Sequence, residues 1–564
     1  MSVSEPPTKP VTPDPTLSAL AERNRDESPA DGVSDDGKFN APKVVLLIVI
    51  ALAPFWAIPV AHLTSNPDTA TGFFQYELPY YVANGRAAFE RGNGVFYPNP
   101  YDPSAEAPSI YVHWLPWSFG LLTAKIGFDP GDVILTFTFF ASIVFAWATW
   151  QLVALRSNSD RQQNLSFLLA MWGGGVLCTA GTIAAMANSQ TWLASVLQFD
   201  PGQGMWFLNW GRNSLFSTEA IYHALVAWCW VSEIRRHRRA ANISLLLLAT
   251  THPWSGIELL LTINFWRAIE FLRSRDAVNR NQLSISIATL VAFLGYYKIW
   301  LPGFPSHSEL QNVWELNWSL SWTSAALAYL PVAIPCGVLL RRKLATGSLD
   351  RTEQFLLAAL VVATGLAFHD RLIPPVQPLH FTRGYVWMPL FLLSLPVVFG
   401  WYRAWTQSSR MTAAMVCAFA GCLFLSDNIV FSIVHSQRQV SKADGFHLMT
   451  DERALLQTLH NSPDTTGRIV LTESETLNYL LPTYTNVRPW LGHHFNTPSF
   501  PVRKATWDGC FENNRVHADR IPQDVDVVIV RRSRNASSLT QDSAWVPLDL
   551  QNGVWTGWSR ASGK

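Results

Sequence analysis

The chain has 564 residues, of which 49% are hydrophobic, 13% aromatic and only 15% charged, with 25 Trp and a formal net charge of +1. This composition argues against a soluble enzyme and for a polytopic membrane protein, and the lack of any basic face outside short loops excludes nucleic acid as a partner. Five of the six cysteines (Cys178, Cys229, Cys336, Cys417 and Cys422) lie in apolar runs and Cys510 lies in the tail; with no CxxC or Cys/His spacing, neither a disulfide framework nor a zinc site is expected.

Residues 1–42 are rich in Pro, Ser, Asp and Glu and hold too few large apolar groups to offset their ordering entropy, so a disordered cytoplasmic tail is expected. The first apolar span, 43–63, reads as an uncleaved signal anchor. Further spans are predicted at 131–155, 164–187, 215–233, 240–252, 254–272, 282–302, 322–340, 353–369, 385–402 and 411–434, about eleven in all. One orientation places Arg156 and Arg161, the cluster Arg235, Arg236, Arg238 and Arg239, then Arg273, Arg275 and Arg280, then Arg341, Arg342 and Lys343, then Arg403 and Arg410 in the cytoplasm. That orientation requires 113–127 to be a juxtamembrane or re-entrant helix and 240–272 to be two short helices meeting at an external corner, His252-Pro253.

The external side then collects loop 64–130, loop 188–214, loop 303–321, loop 370–384 and everything from 435. From 435 to 564 the pattern changes to that of a soluble α/β domain, with helices predicted at 449–461 and 473–481 and strands at 468–472 and 526–532. The fold class expected is thus a polytopic α-helical membrane protein, its membrane domain spanning 43–434, with a C-terminal external α/β domain.

The most pointed residue of the first loop is Glu77, set among Phe73, Phe74, Tyr76, Tyr80 and Tyr81, where a carboxylate is partly desolvated and suited to act as a base; Asp68 is the second candidate. A solvated or helix-capping carboxylate is the plainer alternative. Loop 188–214 ends in NWGRNS, with Arg212, and leads into Glu219 and His223, four residues apart on one helix face and equally readable as a structural pair. Loop 370–384 carries Asp370, Arg371, His380 and Arg383, arginines that depart from the charge rule, although Arg383 also suits an interfacial anchor. His252 is either a site residue or the cap of a broken helix pair. Trp114 and Trp117 suit an interfacial belt or a sugar-stacking face, and in LLPTYTNVRPWLGHHFNTPSFPVRK the residues Trp490 and His493 are candidates to close a site from above.

A long first external loop with an acidic residue soon after the first span, many further spans, external loops rich in His and Arg, and an external C-terminal α/β domain resemble the GT-C superfamily of integral-membrane glycosyltransferases. The common acidic signature of that family pairs two carboxylates, whereas Glu77 here has no adjacent Asp. The resemblance implies a polyprenyl-phosphate-linked sugar as donor, a glycan, lipid or protein as acceptor, and inverting transfer. Glu77 would then be the base, and Arg212, His252, Arg371 and Arg383 the cations that stabilise the departing lipid phosphate, with Glu219, His223 and His380 beside them. Some relatives use a divalent metal, Mg or Mn, but no ligand cluster in this chain demands one. The alternatives are a transporter or flippase, against which stands the lack of two similar halves, and a non-catalytic membrane scaffold. A prokaryotic inner membrane, with the N-terminus cytoplasmic, is the expected location.

Overall fold

The computed structural model describes residues 41–313, 318–550 and 552–561, so most of the predicted disordered tail lies outside the described residues. The chain divides into two compact units, 1–47 and 48–564; of the first, the described residues 41–47 are helical.

Every predicted apolar span is helical. Ala41–Ser65, Pro130–Ala154, Ala277–Gly303, Trp322–Thr346 and Arg410–Val440 are long and apolar enough to cross a membrane, and the pair Asp160–Trp172 and Leu177–Ala187, bent by 44°, adds a sixth if it counts as one span. These helices make the chain an integral membrane protein. The other predicted spans form Ser217–Ile234, Arg238–Ala249, Pro253–Ser274, Arg351–Ala367 and Trp387–Ser408. Arg238–Ala249 has 12 residues, about 18 Å at 1.5 Å per residue, which falls short of a bilayer core of about 30 Å. It turns at Thr250–His252 into Pro253–Ser274, where Pro occupies the first turn and His252 is the N-cap, as the predicted corner requires.

The bend at 173–175 has a physical cause in its three glycines. A Cβ on Gly174 would lie 2.7 Å from the Cβ of Asp427, and one on Gly175 would lie 2.2 Å from the Leu327 carbonyl oxygen. Asp427 replaces the missing helical hydrogen bonds by accepting from the backbone N–H of Gly175 at 2.8 Å, Leu177 at 3.2 Å and Cys178 at 2.8 Å.

The first loop is largely ordered. Leu78–Glu90 and Trp114–Gly120 pack backbone on backbone, since a Cβ on Gly85 would lie 1.9 Å from the Pro116 carbonyl oxygen and one on Gly120 would lie 1.9 Å from the Gly85 carbonyl oxygen. Thr69–Phe73 is tied to residues 446–448: Thr71 N–H and hydroxyl both donate to the Phe446 carbonyl, Phe446 N–H donates to Phe73, and Leu448 N–H donates to Thr69.

After the long helix Arg410–Val440, five strands form one mixed sheet: β1 (Ile469–Thr472), β2 (Arg488–Pro489), β3 (Val527–Arg531), β4 (Trp545–Leu548) and β5 (Trp555–Arg560), in the order β2-β1-β3-β5-β4. β1 pairs in parallel with both β2 and β3, whereas β5 pairs antiparallel with β3 and β4. The predicted helices appear as Thr450–Asn461 and Glu475–Tyr484. The sequence reading did not predict β2, β4, β5 or the helix Phe500–Cys510.

Gly85→Val is expected to lower the Tm of the purified protein, at a cost of roughly 1–3 kcal/mol or more from overpacking. Gly421→Ala, where a Cβ meets nothing within 4 Å, should leave Tm unchanged or raise it slightly. A thermal melt in detergent compares the two.

Candidate active site

Glu77 occupies the N-cap position of Leu78–Glu90 and Pro79 lies in the first turn, yet its carboxylate makes no capping hydrogen bond. The backbone N–H of Glu77 instead donates to Gln75 Oε1 at 2.6 Å. The carboxylate is left free for a distant partner: Glu77 Oε2 lies 3.3 Å from His493 Nε2, with the His493 side chain 1% exposed and that of Glu77 39% exposed.

The tautomer of His493 follows from its other ring nitrogen. Nδ1 accepts the Phe495 N–H at 3.1 Å and an Asn496 Nδ2–H at 2.9 Å, so a ring hydrogen is on Nε2 and is donated to Glu77. The loop after β2 is held for this purpose from the first loop, where Asn99 Nδ2 donates to the Asn496 carbonyl at 2.6 Å. The rings of Tyr76, Tyr80, Tyr101 and Tyr479 surround His493 at centroid distances of 5.1, 5.2, 5.6 and 5.4 Å. His494 stacks on His493 at 5.3 Å and places Nδ1 2.9 Å from the Tyr76 hydroxyl.

Burial alone would push the Glu77 carboxyl up. The charge and hydrogen bond of His493, followed by the charges of His494 and Arg383, more than offset it and hold the group below its ordinary value, so it is a carboxylate at neutral pH. Burial, with His493 adding to it, brings His494 down to about 4 against the pull of Glu77. His380 is lowered to about 3 by burial, again opposed by Glu77.

Seven of the thirteen predicted site residues form one connected neighbourhood. Glu77 is linked to His493 by the hydrogen bond and to Arg383 and His380 through charge. Arg383 Nη1 is paired with Glu219, its guanidinium lies 5.3 Å from the Trp206 ring centroid, and its buried Nε has no hydrogen-bond partner among the described residues. Its carbonyl accepts from His223 Nε2 at 2.6 Å, while His223 Nδ1 lies 3.8 Å from Glu219 Oε2. His380, whose buried Nδ1 has no partner among the described residues, stacks on Trp254 at 5.0 Å and meets Trp206 edge-on at 5.0 Å. His252 lies 6.4 Å from His380. Its Nδ1 faces the Ser255 hydroxyl at 2.9 Å, which itself accepts from Tyr385, and also takes the Ser255 N–H, so Nε2 again carries the hydrogen. A cleft of about 500 Å³ opens beside Tyr76 and Tyr479, with Gln75, Arg438, Asp444 and Glu475 among its lining residues.

The other six predicted residues lie outside this neighbourhood. Arg212, read from its sequence as a phosphate ligand, is fully buried and surrounded by protein acceptors: Asp200 Oδ2 at 2.6 Å, Asn428 Oδ1 at 2.7 Å, the Asp427 carbonyl at 3.0 Å and the Gly204 carbonyl at 3.2 Å, with the Phe431 ring 4.4 Å away. It clasps the helix bend. Asp68 is exposed in the turn after Ala41–Ser65. Arg371 is half exposed, reaches the Leu320 carbonyl and lies over Trp322. Trp114 donates to the Leu247 carbonyl and Trp117 to the Gly94 carbonyl. Trp490 belongs to the core of the C-terminal sheet and donates to Asp524 rather than closing a site. The residues that sequence reasoning did not single out are Tyr101, Tyr479, Asn496, Trp206 and Trp318, the last 4.9 Å from Trp206 and 6.1 Å from His380; the density of aromatics in GMWFLNW is the one local signal for any of them. Among the described residues no three His, Cys, Asp or Glu side chains converge to hold a metal ion.

No family model matches this chain, and no curated protein matches it. Several solved structures are similar to it, among them the three that follow. The apo oligosaccharyltransferase of Archaeoglobus fulgidus shares 10% identity at a TM-score of 0.43, over 87% of this chain and 70% of that one. Apo ArnT from Cupriavidus metallidurans shares 11% identity at a TM-score of 0.44, over 92% of this chain and 98% of that one. Arabinofuranosyltransferase AftD from Mycobacteria shares 11% identity at a TM-score of 0.44, over 93% of this chain, which spans 40% of AftD.

The two opposing influences on Glu77 give a prediction with a sign. Because its folded value is depressed, the stabilisation from its ionised form is present above the unfolded carboxyl value and is lost as pH falls through the folded one. The Tm difference between wild type and Glu77→Gln should therefore favour wild type at neutral pH and shrink on acidification. A His493→Gln background removes the largest of the influences that offset burial, so the difference there should be smaller at neutral pH. A pH series of melts on the four proteins checks it.

Proposed function

We propose that this chain is a GT-C-like membrane glycosyltransferase that moves a sugar from a polyprenyl-phosphate donor to an external glycan, lipid or protein acceptor, with inversion. The single observation that carries the reading is the Glu77 carboxylate: ionised, partly exposed, oriented by an N–H donor and placed in the field of Arg383. In the proposed step an acceptor hydroxyl oxygen bonds to the anomeric carbon as the bond to the phosphate oxygen breaks. The hydroxyl proton passes to Glu77 and the electron pair leaves with the lipid phosphate. The Arg383 guanidinium, whose Nε has no partner among the described residues, and His252 Nε2–H are the donors proposed for that phosphate, with His380 beside them. Glu219 and His223 hold Arg383 in place. The cleft beside Tyr76 is the proposed approach for the acceptor.

The same reading takes residues 43–434 as the membrane domain with about eleven crossings, residues 435–564 as an external domain, and a prokaryotic inner membrane as the location. Orientation of the basic loops toward the cytoplasm then puts Glu77 and His493 on the external side.

The test incubates purified protein in lipid with a panel of polyprenyl-phosphate sugars and measures thermal stabilisation and sugar release. Wild type should be stabilised by its carrier and release sugar. Glu77→Gln should be stabilised equally and lose turnover by about 10²–10⁴-fold. Undiminished turnover in Glu77→Gln would remove Glu77 as the base, failure of every carrier to stabilise either protein would remove the donor class, and movement of intact carrier without sugar transfer would favour a transporter.

A further inference from the structure

Far in sequence from Glu77, the helices Trp322–Thr346 and Trp387–Ser408 enclose a second cleft, of about 520 Å³, a volume within the usual range of ligand sites. Its walls are apolar, from Leu339 on one helix and Pro396 and Val397 on the other, with the Trp401 indole beside them. The space has a local cause: Gly400 also lines it, and a Cβ built there meets nothing within 4 Å. Its rim is polar and cationic, formed by Arg342, Lys343, Thr346 and Ser348.

The two cations differ. Lys343 lies 3.3 Å from Glu353, and Arg156 bridges Glu353 at 3.0 Å and Asp350 at 3.1 Å, so Lys343 and Arg156 are balanced by two carboxylates. Arg342 is exposed and has no ion pair among the described residues, and the same holds for its neighbour Arg341. The rim therefore carries uncompensated positive charge above an apolar trough. On the same two helices Leu344, Val398, Tyr402 and Trp405 are exposed, a surface suited to lipid with aromatics near its edge.

We propose that this cleft binds one anionic phospholipid. Its phosphate lies against the Arg342 guanidinium, and an acyl chain runs along Leu339, Pro396 and Val397 into the space in front of Gly400. A zwitterionic lipid satisfies the trough but brings its own cation to the arginines, and free phosphate satisfies the arginine but leaves the trough empty.

The full chain, stripped of lipid in detergent, is given phosphatidylglycerol, phosphatidylcholine of the same acyl chains, or inorganic phosphate, and Tm and lipid retention by native mass spectrometry are read. Phosphatidylglycerol should be retained and raise Tm, phosphatidylcholine should bind about tenfold more weakly, and phosphate alone should give no shift. Arg342→Gln should bring phosphatidylglycerol down to the phosphatidylcholine level, Arg342→Lys should restore part of the preference, and Gly400→Leu should weaken both lipids. If Gly400→Leu fails to fold, the two Arg342 variants decide. Equal binding of the two lipids to wild type, undiminished phosphatidylglycerol binding by Arg342→Gln, or an equal shift from inorganic phosphate overturns the proposal.

Discussion

The arrangement around Glu77 depends on one hydrogen bond, from His493 Nε2–H to a carboxylate 416 residues earlier in the chain. An isolated carboxylate ringed by tyrosines would be driven toward its neutral form. The imidazole reverses that tendency, and the imidazole is itself fixed by Phe495 and Asn496 on its other nitrogen. The first loop and the C-terminal sheet are therefore parts of one site: the loop supplies the carboxylate, and the segment after β2 supplies the group that decides its charge. The pairing of Thr69–Phe73 with residues 446–448 and the bond from Asn99 to Asn496 hold the two parts in register.

A second polar centre has a different purpose. Asp200, Arg212, Asp427 and Asn428 form a closed set in which a buried guanidinium is matched by a carboxylate and by carbonyl and amide oxygens, while Asp427 caps the helix broken at the three glycines. Buried charge in a membrane protein is costly unless partnered, which makes it either functional or a fixed structural element. Arg212 is a fixed structural element, and Arg383 is the one proposed to act on substrate. Arg212 has acceptors on every side, whereas the buried Nε of Arg383 has no partner among the described residues and the group lies within the field of Glu77.

That contrast also marks how far the sequence could be read. Apolar period and length are local properties, so each predicted span and the His252 corner appear as helices, as do the Ile469–Thr472 and Val527–Arg531 strands with their β-branched runs. The setting of Glu77 was legible for the same reason, because Tyr76 and Tyr80 are its neighbours in the chain. Partner choice is not local. Nothing near residue 212 announces Asp427 and Asn428, and nothing near Trp490 announces Asp524, so both looked available when they are enclosed. Tyr101 and Tyr479 were missed because they meet His493 only once the chain has folded. The two-residue β2 and the Trp-rich β4 and β5 lack the continuous β-branched pattern that a strand prediction needs.

The most direct measurement is a double-mutant cycle on the proposed sugar transfer with Glu77→Gln, His493→Gln and the pair combined. If His493 acts through the Glu77 carboxylate, adding His493→Gln to Glu77→Gln should cost no further turnover. Losses that multiply would mean that the two residues act independently, and the hydrogen bond between them would not be what sets the chemistry of the site.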